Sequence, residues 1–244
     1  MGLAAANAKM AIDLMFDVFA GRFSGLVLIG MLLFSVFCQI KVKSTFSKYN
    51  LVTPANRMRA HEAARMILDD NGLYNVAVVH VPGNLTDHYD PRTNTVCLSD
   101  STYNINSIGA IGVAAHECGH AIQYARNYTP IKIRQTIYPA VSFCSTAWFW
   151  VLALGFFLEW AVAIEAGIAF YSFVVLFQLV TLPVEFNASR RAIDTIYANN
   201  ILTGSELDGA RKVLSAAAMT YVASFLTSLL QLLRLILNFS RRRS

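Results

Sequence analysis

Ile137 to Leu158 reads IYPAVSFCSTAWFWVLALGFFL, and Ala166 to Val184 reads AGIAFYSFVVLFQLVTLPV. These are uncharged runs of 22 and 19 residues, against the roughly 20 that a helix needs to cross a bilayer. A short turn carrying Glu159 and Glu165 joins them, so the two runs predict a transmembrane hairpin. Outward from it, Phe23 to Ile40 and Val213 to Leu233 add uncharged runs of 18 and 21 residues. The chain of 244 residues is 55% hydrophobic and 14% charged, and it gathers its apolar residues into these runs instead of spreading them as a soluble domain does. The expected fold is a multi-pass α-helical membrane protein with about four transmembrane helices and a small α+β cytoplasmic domain.

The expected segments follow. Residues 1–22 form an amphipathic segment with a short surface helix over 3–20, where Asp13 and Asp17 lie one turn apart. Residues 23–40 are the first span, a retained anchor with no convincing small-x-small cleavage site before Lys41. Then come a cytoplasmic block at 41–136, the hairpin at 137–184, a helix and connector at 185–212, a last span at 213–239 and a basic tail at 240–244. Lys41, Lys43, Lys48, Lys132, Arg134, Arg190 and Arg191 flank the spans on one side, which predicts that 41–136 and 185–212 face the cytoplasm of a cell membrane. Arg241, Arg242 and Arg243 run against that rule if all four runs span. Either the last run lies at the surface with Arg234 snorkelling, or the rule fails there.

The net charge of +5 sits at span ends as headgroup anchors, without an aromatic-basic platform, so the expected contact is the lipid bilayer and not nucleic acid. The cysteines Cys38, Cys97, Cys118 and Cys144 have no CxxC spacing and read as reduced packing thiols.

Within the polar block, Thr53-Pro54 caps a helix reaching Asp70, Val76 to Val81 reads as a strand, Leu85 to Asp90 is extended, and Thr95 to Leu98 is a second strand. A helix over 107–124 carries His116-Glu117-Cys118-Gly119-His120. Residues four apart share a helix face, so His116 and His120 present two imidazoles to one metal with Glu117 beside them, an HExxH arrangement that points to a zinc-dependent hydrolase and makes the expected cytoplasmic α+β domain zincin-like. Cys118, two residues on, points away from that face.

A hydrolytic zinc takes three protein ligands and keeps one position for water. The third falls to Glu185, 65 residues beyond His120, because the hairpin returns the chain to the HExxH side and Pro183 starts a new helical segment there. The competing reading of Glu185 is an interfacial carboxylate paired with Arg190 or Arg191. The motif, the stretch Leu85-Thr86-Asp87-His88-Tyr89-Asp90-Pro91 and the stretch Pro183-Val184-Glu185-Phe186-Asn187-Ala188-Ser189 together resemble the YugP-type membrane zinc metallopeptidases. More distantly, the layout is similar to HtpX and CAAX-protease-like membrane peptidases. The resemblance runs from about Ser44 to Leu233. It implies one catalytic Zn2+ held by His116, His120 and Glu185, with Glu117 catalytic.

Such a site hydrolyses peptide bonds: zinc lowers the pKa of water to roughly 7 and Glu117 moves the proton. Candidates for stabilising the oxyanion are His88, Tyr89, Arg191 and Tyr197, and Ser189 is placed to support a ligand histidine. The strand Thr95 to Leu98 is expected to be the edge that pairs with an extended substrate. Expected substrates are membrane or membrane-associated proteins and peptides; the sequence leaves partner subunits open. Two alternatives remain: an intramembrane protease using Asp208 of Leu207-Asp208-Gly209, and a non-catalytic scaffold or adaptor stabilised by zinc.

Overall fold

The computed structural model describes residues 24–243, so the segment 1–22, its expected helix over 3–20 and Ser244 lie outside the described residues. In chain order the elements are α1 (Ser24–Asn50), α2 (Ala60–Asp70), β1 (Ala77–His80), β2 (His88–Asp90), β3 (Thr95–Leu98), α3 (Ile108–Ala125), α4 (Thr129–Phe157), α5 (Ala161–Ala198) and α6 (Ser205–Arg243). Among the described residues four helices, α1, α4, α5 and α6, are long and apolar enough to cross a membrane. Each is longer than its uncharged run, because the helical backbone continues into the polar residues at its ends.

The chain divides into two compact units. One comprises residues 24–37, 135–179 and 222–243 of the described chain, all but a short turn helical. In it α4 and α5 pack closely: a Cβ on Gly155 would meet the Ile164 nitrogen at 2.7 Å, and one on Gly167 would meet the Leu152 nitrogen at 2.9 Å. The Trp148 and Tyr171 rings lie 4.5 Å apart. Phe143, Trp150, Phe157 and Leu176 are exposed, a surface suited to lipid and costly in water.

The other unit, residues 38–134 and 180–221, holds a core of α2, α3 and the sheet with parts of α5 and α6, including Ile67, Leu68, Leu98, Ile111 and Ile196. The sheet order is β1-β3-β2. β1 runs parallel to β3 with Val78 opposite Val96, and β2 runs antiparallel to it with Tyr89 opposite Val96. The expectation that Thr95–Leu98 is an edge is therefore corrected: β3 is central, its backbone groups paired on both sides. The apolar Val96, Cys97 and Leu98 are buried, as a central strand requires.

Two further boundaries differ from expectation. The helix expected from Pro54 begins at Ala60, because Pro54 to Arg57 closes a turn and Arg57 takes a left-handed φ of 54°. The Arg59 amide then donates to Glu62 Oε2 at 2.8 Å, capping the helix. Pro183 does not start a new segment: α5 continues through it, with Glu185 well inside the helix. α3 starts where expected, with Ser107 Oγ accepting from the Ala110 amide at 3.1 Å.

Candidate metal centre

Two helices build the site. Four-residue spacing puts His116 and His120 on one face of α3, and the same spacing puts Glu185 and Ser189 on the facing side of α5. Gly119 lets these helices meet: a Cβ there would stand 2.5 Å from the Ala188 carbonyl oxygen, closer than any side chain tolerates.

The metal-ligating atoms of His116, His120 and Glu185 lie within 4.8 Å of one another. Glu185 Oε2 is 3.3 Å from His116 Nε2 and 3.6 Å from His120 Nε2. Donors at Zn–N and Zn–O distances of about 2.0–2.1 Å around a tetrahedral ion stand roughly 3.3–3.4 Å apart, so the two Glu185–histidine spacings and the donor types fit zinc, with the histidines drawing together around the ion. The far side of each imidazole has a partner. Ser189 Oγ lies 3.1 Å from His116 Nδ1, and Gln123 Oε1 lies 3.0 Å from His120 Nδ1, which turns each Nε2 toward the carboxylate. The Gln123 amide nitrogen in turn donates to the Val184 carbonyl at 2.7 Å and to Asn187 Oδ1 at 3.0 Å. Burial disfavours a charged His120, but its hydrogen bond to Glu185 and the charges of Glu117 and Glu185 hold the imidazole above the ordinary histidine pKa. A divalent cation meets the same concentration of negative charge.

Glu117 lies outside this ligand cluster and lines a cavity of about 210 Å3 with His116, Glu185, Ser189 and Tyr221. The remaining wall is mostly apolar, including Phe46, Leu85 and Ala217, with Asp87 also on it. Asp87 is held by the Ser99 amide at 2.7 Å and the Ser99 hydroxyl at 2.9 Å.

The other sequence candidates fall elsewhere. His88 is exposed, with Nδ1 2.9 Å from the Thr86 carbonyl; the Tyr89 hydroxyl donates to Asn94; Tyr197 is exposed. None of them lines the cavity. Arg191 is not on the cavity wall either, but its Nε donates to Asn187 Oδ1 at 2.7 Å, the oxygen that also accepts from Gln123. Asp208 is exposed and pairs with Arg211 at 3.1 Å. Cys118 is buried against Ala64 on α2, and burial pushes its thiol pKa far up.

Sequence reasoning missed Gln123, Arg134 and Tyr221. Arg134 Nη1 donates to Glu185 Oε1 at 3.2 Å, and Tyr221 hydrogen-bonds the same carboxylate. Gln123 was within reach, being one helical turn after His120. Arg134 and Tyr221 lie 51 and 36 residues from Glu185 (185 minus 134, 221 minus 185), with no local pattern to mark them.

The sequence model of the family described as "Putative neutral zinc metallopeptidase" matches residues 24–240. The chain is also 46% identical over 209 residues to the "Putative membrane protease YugP" of Bacillus subtilis (strain 168), across 86% of this chain and 93% of that protein. No solved structure matches. On the length and identity of these matches, the chain belongs to the neutral zinc metallopeptidase family whose model it fits.

Proposed function

We propose that the protein is an integral-membrane zinc endopeptidase that hydrolyses peptide bonds of membrane or membrane-associated substrates at the cytoplasmic surface. His116, His120 and Glu185 hold one Zn2+ and Glu117 is the general base. The observation that carries this reading is the convergence of three ligand groups within 4.8 Å, with Glu117 beside them on the wall of a mostly apolar cavity.

A bound zinc ion would supply Lewis-acid polarisation of the scissile carbonyl and a water of pKa near 7. The chain's own groups do the rest. The Glu117 carboxylate accepts the proton of the attacking water and returns it to the leaving amine. Tyr221, on the same wall, donates a hydrogen bond from its hydroxyl to the Glu185 carboxylate and helps hold it in place. Ser189 and Gln123 hold the imidazoles in the tautomer that leaves Nε2 free to ligate. The apolar wall excludes water and accepts a side chain of the substrate, strengthening every charge interaction inside.

Three protein ligands leave a coordination position open, which favours catalysis over a scaffold role, since structural zinc sites close with four. The intramembrane reading built on Asp208 loses support because that carboxylate is exposed and paired with Arg211. Metal analysis of His116→Ala, His120→Ala, Glu185→Ala and Asp208→Ala tests the assignment. The first three should fall from one zinc per chain towards none, and Asp208→Ala should keep its metal. Full zinc in Glu185→Ala with loss in Asp208→Ala would reverse it.

A further inference from the structure

Arg134 enters the sequence argument as a basic residue flanking a span, yet its side chain turns inward. It sits in the second turn of α4 (Thr129–Phe157), one-third exposed, and its Nη1 donates to Glu185 Oε1 at 3.2 Å while the Glu185 side chain is 4% exposed. The two oxygens of that carboxylate therefore have separate duties. Oε2 faces both His116 Nε2 and His120 Nε2, and Oε1 is taken by a guanidinium. Tyr221 also hydrogen-bonds this carboxylate, but a neutral hydroxyl brings no compensating charge.

We infer that Arg134 is a positioning residue that restricts Glu185 to ligation through Oε2 alone and so keeps a coordination position open for the reaction. The inference rests on the metal reading proposed above. A buried carboxylate with both oxygens free beside a dication can chelate it through both, and a site of two histidines with a chelating carboxylate has its open position filled or crowded. A charge-assisted hydrogen bond to Oε1 opposes that swing, because chelation would break it and take a buried carboxylate oxygen away from its cation. Partial neutralisation of Glu185 by Arg134 also reduces the charge it donates to the ion, which leaves the ion a stronger Lewis acid.

The test uses the full-length protein in detergent with Co2+ in place of zinc, comparing wild type, Arg134→Lys and Arg134→Gln. Wild type should give the intense visible bands of a four-coordinate ion. Arg134→Lys should retain them, and Arg134→Gln should shift to the weaker bands of a five-coordinate ion. With zinc, kcat of Arg134→Gln should fall roughly 10–100-fold with little change in KM. A wild-type spectrum in Arg134→Gln would overturn the inference. X-ray absorption of the wild-type zinc protein tests the geometry even if Arg134→Gln does not fold: a first shell of four nitrogen and oxygen donors at about 2.0–2.2 Å supports it, and a first shell of five overturns it. Wild type that takes up no Co2+ or Zn2+ would instead overturn the metal reading, and this inference with it.

Discussion

Gly119 decides how closely the histidine helix approaches the glutamate helix. A Cβ at that position would lie 2.5 Å from the Ala188 carbonyl oxygen, and a backbone atom has little room to yield. Gly119→Ala should therefore push α3 and α5 apart, lowering stability by about 1–3 kcal/mol and separating both histidines from Glu185. Thermal unfolding with zinc analysis checks this, and an unchanged midpoint with full metal would rule it out. Gln123 is fully buried and bridges His120 to the Val184 carbonyl and Asn187. Gln123→Ala should weaken zinc binding roughly 10–100-fold, measured by chelator competition; unaltered affinity would show that packing alone orients His120. Cys118 illustrates a residue that helical geometry reads correctly: two positions from His116 it faces α2, not the ligand cluster.

Among the elements, α3 is legible in the sequence because the HExxH spacing needs a helix. The spans are legible because an apolar run of membrane length has few other readings. Two elements are not. α5 continues through Pro183, although an interior proline removes one helical hydrogen bond and usually ends the element. Packing against its neighbours outweighs that local cost, and a single sequence does not display packing. β3 reads as an edge because short strands do not announce their neighbours, and its parallel pairing with β1, with β2 intervening in the chain, is a long-range fact. Thr95–Leu98 is thereby removed as a substrate-pairing edge. The wall of the cavity belongs in part to α6, where Ala217 and Ala218 leave space beside Glu117. Ala217→Phe should fill that space and cut kcat/KM roughly 10–200-fold for peptides with a large apolar residue at the scissile bond, while zinc content stays at wild-type level. Equal cleavage of such peptides by the variant would show that the substrate does not use this cavity.

For the whole molecule, the four long apolar helices among the described residues and the similarity to a putative membrane protease point to a membrane location. Sidedness is tested by cysteine labelling in a background without the native thiols, with probes at Asn94, Glu159 and Ser244. Asn94 should be reached from the cytoplasm and Glu159 from outside, and Ser244 reports on which side α6 ends. Asn94 labelled from outside would overturn the cytoplasmic reading. That Glu117 moves protons beside a metal it does not ligate is tested by one paired measurement on wild type and Glu117→Gln: zinc content together with hydrolysis of a denatured membrane protein. About one zinc per chain is expected in both, with turnover in wild type and a loss of roughly 10^2–10^4-fold in the variant. Wild-type turnover in Glu117→Gln, with zinc bound, would refute the proton-transfer role.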